Sequence, residues 1–261
     1  LKASHTNWPT GARSNGIGNA SVTLSDIWSM QNNQAGLARL TGFSAGIFYE
    51  NRFGLKELSY KAIAVGLPVK SSVFGVSCTQ FGNINYSELK AGLAYARMFG
   101  ARFSAGIQLN YAGTHIAENY GNAAALIAEL GFQYIIHKNL IIGGHLFNPS
   151  RTKVASGPEE RIPTIIKLGL AYTFSEKVSV FAETEKDIKL PAVLKFGLEY
   201  HPAERFYFRT GISTKPVKNM FGFGLEFKNF NLDFCAAYHQ VLGFSPSVSI
   251  VFHSSKSKEQ K

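Results

Sequence analysis

Polar or small residues alternate with apolar ones through several stretches of this chain, and this pattern constrains the fold most. In residues 102–111 the even positions are polar or small, whereas the odd positions are apolar from Phe103 to Tyr111. A period of two places successive side chains on opposite faces, which is typical of a β-strand. The same period recurs in four further stretches: 165–174, 194–201, 231–239 and 244–253.

Extending this search along the chain predicts about fourteen strands. They lie near 43–51, 55–67, 71–80, 86–99, 102–112, 123–136, 139–147, 163–174, 177–185, 191–201, 205–213, 218–228, 230–240 and 244–253. Most have the roughly 9 to 11 residues that a tilted strand needs to cross a bilayer, and no run approaches the roughly 18 to 20 apolar residues of a membrane helix. We therefore predict an all-β fold: a transmembrane antiparallel β-barrel of about 14 strands.

The links between these strands are alternately short and longer. Short links such as 100–101 and 137–138 alternate with longer ones such as 113–122 and 148–162. This asymmetry is typical of outer-membrane barrels, whose short turns are periplasmic. An even strand count then places both termini in the periplasm. The chain begins at Leu1 without a charged and apolar leader, so we expect that a signal peptide has been removed.

A soluble β-sandwich would also alternate, but the residue types on the two faces argue against it. Apolar positions near strand ends are often aromatic, as in the interfacial girdles of membrane barrels, and the chain holds 21 Phe and 11 Tyr. The opposite face is rich in Gly, Ser, Ala and Thr and lacks the dense charge of a soluble sheet.

Residues 1–40 break the alternation and form a segment of their own. They start glycine-rich, and the stretch Asp26–Met30 suits one helical turn capped by Ser25 or Asp26. We expect this segment to fold against or into one end of the barrel. The predicted division is residues 1–40 as a hatch or plug, 41–253 as the barrel and 254–261 as a periplasmic polar tail.

Part of this segment resembles the N-terminal signature of the PorV/PorQ family of Bacteroidota outer-membrane proteins, which are relatives of the FadL fatty-acid transporters. The matching residues are Gly11-Ala12-Arg13, Gly16-Ile17-Gly18, Ala20, Asp26 and Asn33-Gln34-Ala35-Gly36-Leu37-Ala38. Gln34 stands where that signature usually has proline, which indicates a divergent member.

The resemblance implies a FadL-like barrel whose N-terminal segment plugs the lumen. The expected hatch residues are Arg13, Gly16, Gly18, Asp26, Asn33 and Gly36. It further implies an accessory or docking subunit of a larger outer-membrane complex, most of all in type IX secretion-like protein export. The alternatives are a FadL-like channel for small or hydrophobic solutes and a subunit of an assembly or nutrient-uptake complex.

Charged residues on the polar face predict a network inside the lumen. Its expected members are Lys167, Glu183, Glu185, Lys195, Glu199, Arg209, Glu226 and Asp233, with Arg102, Glu129 and His239 as further candidates. Charges removed from water must be paired, so the network either holds the plug or lines a polar conduit. Among inward positions, apolar side chains are expected at little more than Phe181 and Tyr207.

The remaining residues indicate partners and exclude some chemistry. Seven scattered histidines show no metal spacing or catalytic triad, so we expect no enzyme, metal or cofactor. The net charge of +10 has no aromatic-lined basic stripe for nucleic acid. Expected partners are other outer-membrane proteins, namely a larger barrel or translocon subunits, and lipopolysaccharide or other lipid. The bases expected to meet lipid phosphate are Arg151, Lys153, Arg161, Lys186, Lys189, Lys215 and Lys218.

Overall fold

The structure is a computed structural model that describes residues 7–117, 121–152 and 162–254. Fourteen strands form one closed antiparallel barrel, in which β1 pairs with both β2 and β14. The strands are β1 Ser44–Asn51, β2 Ser59–Val69, β3 Ser72–Gly82, β4 Tyr86–Phe99, β5 Phe103–Ile116, β6 Gly121–His137, β7 Leu140–Phe147, β8 Ile165–Ser175, β9 Val178–Asp187, β10 Val193–Ala203, β11 Phe206–Ser213, β12 Lys218–Glu226, β13 Phe230–His239 and β14 Gly243–His253. The predicted fold class is confirmed.

The two faces of each strand meet different surroundings. In β5, Ser104, Gln108 and Asn110 are buried in the lumen, whereas Ile107 and Leu109 remain 52% and 65% exposed on the outside. A wall of exposed apolar side chains around a closed barrel is what a bilayer core requires, because every backbone group is paired within the sheet. No helix in the described ranges is long and apolar enough to cross a membrane.

The strand connections separate the barrel into two ends. Links of two or three residues join the strands at one end, which we call the short-turn end; residues 43 and 254 also lie there. The other, the long-loop end, carries connections of three residues or more, and the longer ones include 52–58 and 188–192. The connection after Phe147 includes 153–161, which lie outside the described residues, as does 255–261 of the predicted tail.

The predicted strand boundaries that differ from the structure include the start of β2, the end of β5 and the start of β6. The second strand was expected to begin at 55, but 52–54 and 56–58 form short 3-10 turns and β2 begins at Ser59. β5 and β6 pair as far as Ile116 and Gly121, so the expected link 113–122 shrinks to 117–120. Pairing with the neighbouring strand of the hairpin sets these ends, as at Asn51–Ser59 and Ile116–Gly121, and residue type alone does not locate them.

Candidate functional site

The interior of the barrel contains the N-terminal part of the chain. Residues 7–40, which we call the inner segment, are all buried or half-buried. They form two short helices, α1 Ala12–Gly16 and α2 Ser29–Asn32, and a 3-10 stretch Gln34–Arg39. The apolar side chains of Ile17 and Ile27 have no exposed surface, so the inner segment supplies apolar packing to a lumen that is otherwise largely polar.

A belt of inward-facing glycines makes room for the inner segment. On ten strands, a Cβ added to the belt glycine would lie within 3.1 Å of an inner-segment atom. The belt comprises Gly46, Gly66, Gly75, Gly106, Gly131, Gly143, Gly169, Gly197, Gly211 and Gly222. At Gly211 the added carbon would be 2.0 Å from the Gly18 nitrogen. Only residues without a side chain allow the two backbones this close approach.

Three of the expected hatch residues are glycines in tight surroundings. Gly18 has a positive φ of 71°, and a Cβ there would lie 2.5 Å from the Phe196 carbonyl oxygen. A Cβ on Gly36 would lie 2.3 Å from the Leu24 carbonyl oxygen, and one on Gly16 would lie 3.1 Å from Arg209. These positions accept no larger residue without a shift of the segment.

The other expected hatch residues are polar and bonded. Arg13 donates to both carboxylate oxygens of Glu199, at 2.9 and 2.8 Å. Asp26 accepts from the Trp28 backbone nitrogen at 2.9 Å and lies 3.9 Å from Arg13. The helix lies later than the predicted turn Asp26–Met30, since α2 spans Ser29–Asn32 and has no side-chain cap. The Asn33 side chain donates to the carbonyls of Val22 and Phe132, so it ties the inner segment to β6.

A first charge cluster joins the inner segment to β10, β11 and β13. Glu199 accepts from Arg13 and, at 2.6 Å, from Arg209. Arg209 also donates to Asp233 at 2.7 Å. The side chains of Arg209, Glu199 and Asp233 are less than 10% exposed, whereas that of Arg13 is 31% exposed. Two guanidinium groups thus share two carboxylates in a setting with little water.

A second charge cluster spans β8, β9 and β10. Lys195 donates to Glu183 at 2.8 Å and to Glu185 at 2.6 Å. Lys167 lies 3.9 Å from Glu185. The second oxygen of Glu183 accepts from the backbone nitrogen of Val22 at 2.8 Å, so this cluster also holds the inner segment.

The last member of the expected network lies apart from both clusters. Glu226 accepts a hydrogen bond from Tyr207 at 2.6 Å and borders a small polar pocket of about 70 Å³ that Arg13 and Arg209 also line. Of the further candidates, Arg102 is wrongly expected to face the lumen, since it lies exposed in the turn after β4. His239 stacks edge-on against Phe53 at the long-loop end.

A third cluster centres on Glu129, which is fully buried. It accepts from Lys90 at 3.3 Å, from Asn110 at 2.9 Å and from Gln34 at 2.8 Å, and His145 lies 2.9 Å from it. Lys90, Asn110, Gln34 and His145 were not predicted as network members. Gln34 stands where the PorV/PorQ signature usually has proline, and only a side chain with a donor can hydrogen-bond to Glu129 here.

The lumen also holds more apolar surface than the sequence predicted. Near the long-loop end, buried apolar side chains form what we call the luminal apolar patch: Ala112, Ala125, Ile127, Phe147, Ile162 and Ile165. The expectation of little beyond Phe181 and Tyr207 is therefore wrong. In 123–127 both faces are apolar, so the loss of alternation was the signal that marked an apolar interior there.

An aromatic group lies at the same end of the lumen, against β1 to β3. Trp8 stacks at 5.9 Å on Phe81, and Tyr60 lies 5.9 Å from Phe48. The guanidinium of Arg52 covers Trp8, at 3.9 Å from the ring centroid, and lies 5.4 Å from that of Tyr60. The start of the inner segment and the 52–58 loop thus meet over the lumen.

Among the described residues, no group of three or more His, Cys, Asp or Glu side chains is placed to hold a metal ion. Buried acids such as Glu129 instead face Lys, Arg or His partners, and buried Glu88 accepts a hydrogen bond from the Tyr86 hydroxyl. The described contacts inside the barrel are packing contacts, hydrogen bonds and ion pairs.

Comparisons with known proteins agree with this architecture at the level of fold. No family model matches the chain, and no curated protein matches it by sequence. Among solved structures, it is similar to the "CymD monoaromatic hydrocarbon channel", with a TM-score of 0.75 and 14% identity over 94% of this chain and 97% of that one.

Two further structures show the same similarity. The toluene transporter TodX of P. putida gives a TM-score of 0.74 at 13% identity, over 95% of this chain and 99% of that one. A FadL homologue of Pseudomonas aeruginosa gives 0.65 at 10% identity, over 94% and 98%. At such low identity the likeness concerns the fold: the chain is a FadL-like barrel.

Proposed function

We propose that this chain is a non-enzymatic outer-membrane channel for small hydrophobic solutes. The observation that carries the proposal is the luminal apolar patch, because a conduit for polar solutes has no use for buried Ile127, Phe147 and Ile165 on its inner wall. The structural neighbours described as channels or transporters of monoaromatic hydrocarbons and toluene add support. The channel was the alternative to docking in the sequence prediction, and the fold favours it.

The proposal assigns an orientation and a role to each part. The long-loop end faces outside and the short-turn end faces the periplasm, as in other barrels with this asymmetry. Solute enters at the long-loop end and meets the luminal apolar patch. The inner segment acts as the hatch that closes the lumen beyond it, and the three charge clusters hold the hatch in place.

Transport into proteoliposomes tests this function. The vesicles need an outer leaflet of lipopolysaccharide, because toluene crosses a plain phospholipid bilayer unaided. In such vesicles we expect radiolabelled toluene to enter faster when the chain is present than in empty vesicles, while glucose does not. Ala125→Trp adds bulk to the luminal apolar patch, whose side chains are already packed together, and should slow toluene entry at least several-fold. Ala124→Trp, its neighbour on the outer face of β6, is the matched control. Toluene entry no faster than in empty vesicles would overturn the proposal.

Docking to a larger outer-membrane complex stays a second prediction, carried by the resemblance of residues 11–38 to the PorV/PorQ family. Purification from native membranes in mild detergent, followed by mass spectrometry, distinguishes the two roles. A stoichiometric larger barrel together with failed toluene transport supports docking. A lone chain that transports toluene supports the channel.

A further inference from the structure

A groove crosses the outside of the barrel on strands β6 to β10. It has a volume of about 440 Å³, which is within the range of small-ligand sites. Large side chains form its rim: Phe132, Ile142, Leu168, Leu170, Leu194 and Phe196. Ala182 and Thr184 form its floor. Ala182 and Thr184 on β9 are small, whereas the neighbouring strands project Leu or Phe at the same level. The groove therefore arises from the short side chains of β9.

The groove opens towards the membrane and is almost wholly apolar. Leu168, Leu194 and Phe196 on its rim are 50%, 46% and 49% exposed. Exposed apolar side chains on the outer face of a membrane barrel meet lipid acyl chains. An acyl chain is flexible enough to follow a depression that spans several strands, and burying it there removes a void from the protein–lipid boundary.

A basic side chain lies at the end of this groove. Lys186 is on the outer face of β9, two residues beyond Thr184, which is roughly 7 Å along a strand. Its amine donates to the Leu190 carbonyl oxygen and so is held at the long-loop end. An ammonium group carries three donors, so two remain for a ligand. Lys189 lies exposed in the loop that follows.

The outer wall as a whole carries one sign of charge. Among described strand residues that face outward, the charged ones are Lys61, Arg97 and Lys186, all of them basic. Of these three, only Lys186 adjoins the groove. Lys218, which was expected to meet lipid phosphate, faces the lumen beside Met220 and takes no part. An apolar groove that ends at a lysine fits an amphiphile with an acyl chain and an anionic head.

We propose that this groove is a binding site for lipopolysaccharide, with an acyl chain against Ala182 and a lipid phosphate at Lys186. The choice of this lipid over a phospholipid rests on the proposed orientation, because the long-loop end then lies in the outer leaflet. The site is separate from the lumen and does not depend on whether the chain transports a solute.

Binding of defined lipids to the detergent-purified chain tests the site. Fluorescently labelled lipid A is titrated against the protein, with dephosphorylated lipid A and phosphatidylglycerol as competitors. Ala182→Phe fills the groove and Lys186→Gln removes the charge. A charge-assisted hydrogen bond contributes roughly 1.5 kcal/mol or more, so Lys186→Gln should weaken lipid A binding about tenfold. Ala182→Phe should weaken it because the acyl chain no longer fits the groove. If Ala182→Phe disturbs the fold, Lys186→Gln still tests the site, because it leaves the packing of the groove unchanged.

Two matched changes on the opposite wall serve as controls. Ala91→Phe adds the same bulk to an exposed position of β4, and Lys61→Gln removes an outward lysine of β2. Neither should change lipid A binding. The proposal is overturned if the controls weaken binding as much as the site variants, if dephosphorylated lipid A competes as well as lipid A, or if phosphatidylglycerol competes equally.

Discussion

The guanidinium carbon of Arg52 lies 3.9 Å from the centroid of the Trp8 ring, and this contact joins the first long loop to the start of the inner segment. Arg52 also pairs with Glu50 at 3.3 Å, and its side chain is only 12% exposed. A cation over an aromatic ring with little water nearby contributes about 2 kcal/mol. The contact thus acts as a clasp across the long-loop end of the lumen.

Removing the clasp should open that end. For Arg52→Ala, a loss of about 2 kcal/mol corresponds to roughly a tenfold or greater rise in the open population. Toluene entry into proteoliposomes, or ion conductance in a planar bilayer, measures it. Lys56→Ala in the same loop is exposed and serves as control. Identical rates for both variants would show that Arg52 does not close the lumen.

The first charge cluster should dominate the stability of the barrel interior. Arg209→Met leaves Asp233 without its partner and Glu199 with only Arg13. Removing one member of a buried pair costs about 3 to 5 kcal/mol, and we expect a loss of that size in the free energy of unfolding. Guanidinium titration in lipid vesicles, followed by tryptophan fluorescence, measures it.

The control for that change is Arg205→Met, four residues earlier in an exposed turn. A surface substitution of this kind should stay within about 0.5 kcal/mol. A loss below about 1 kcal/mol for Arg209→Met would mean that the cluster is hydrated and contributes little.

The glycine belt should be intolerant of even one methyl group. A Cβ at Gly211 would meet the Gly18 nitrogen at 2.0 Å, so Gly211→Ala must displace the inner segment or the strand. We expect faster trypsin cleavage after Arg13 in the folded barrel, scored by mass spectrometry. Gly113→Ala, whose added carbon has the Tyr111 ring at 3.3 Å as its nearest neighbour, is the control. Unchanged protection of Arg13 in Gly211→Ala would refute the close approach.

Asp26 should make the stability of the folded inner segment depend on pH. Burial raises the pKa of Asp26 above its ordinary value, although nearby Arg13 opposes the shift. Since the folded state then holds the proton more tightly than the unfolded state, this contribution to stability is full at low pH and is lost as pH rises above about 4.

The Asp26→Asn variant isolates this effect, because Asn keeps an acceptor for the Trp28 nitrogen but does not titrate. The difference in unfolding free energy between the variant and the original chain should grow in favour of Asn as pH rises. A difference that stays constant with pH would contradict the assignment.

Whether a feature could be predicted from the sequence depends on how far apart in the chain the interacting residues lie. The barrel was predictable because alternation such as that of 102–111 is local and recurs in several strands. The partners of Glu129 were not, because Gln34 and Lys90 reach it from distant parts of the chain. The luminal apolar patch was missed although the sequence carried a signal for it: in 123–127 the alternation is lost because both faces of the strand are apolar.

The inner segment bridges parts of the sheet that are far apart in the chain. Helix α1 contacts β11 to β14, whereas Gln34–Arg39 contacts β3 to β6. The barrel closes where β1 meets β14, and in the closed barrel the belt glycines lie in close contact with the inner segment. We therefore expect the strands to close around residues 7–40, and we expect a closed barrel without this segment not to be a folding intermediate.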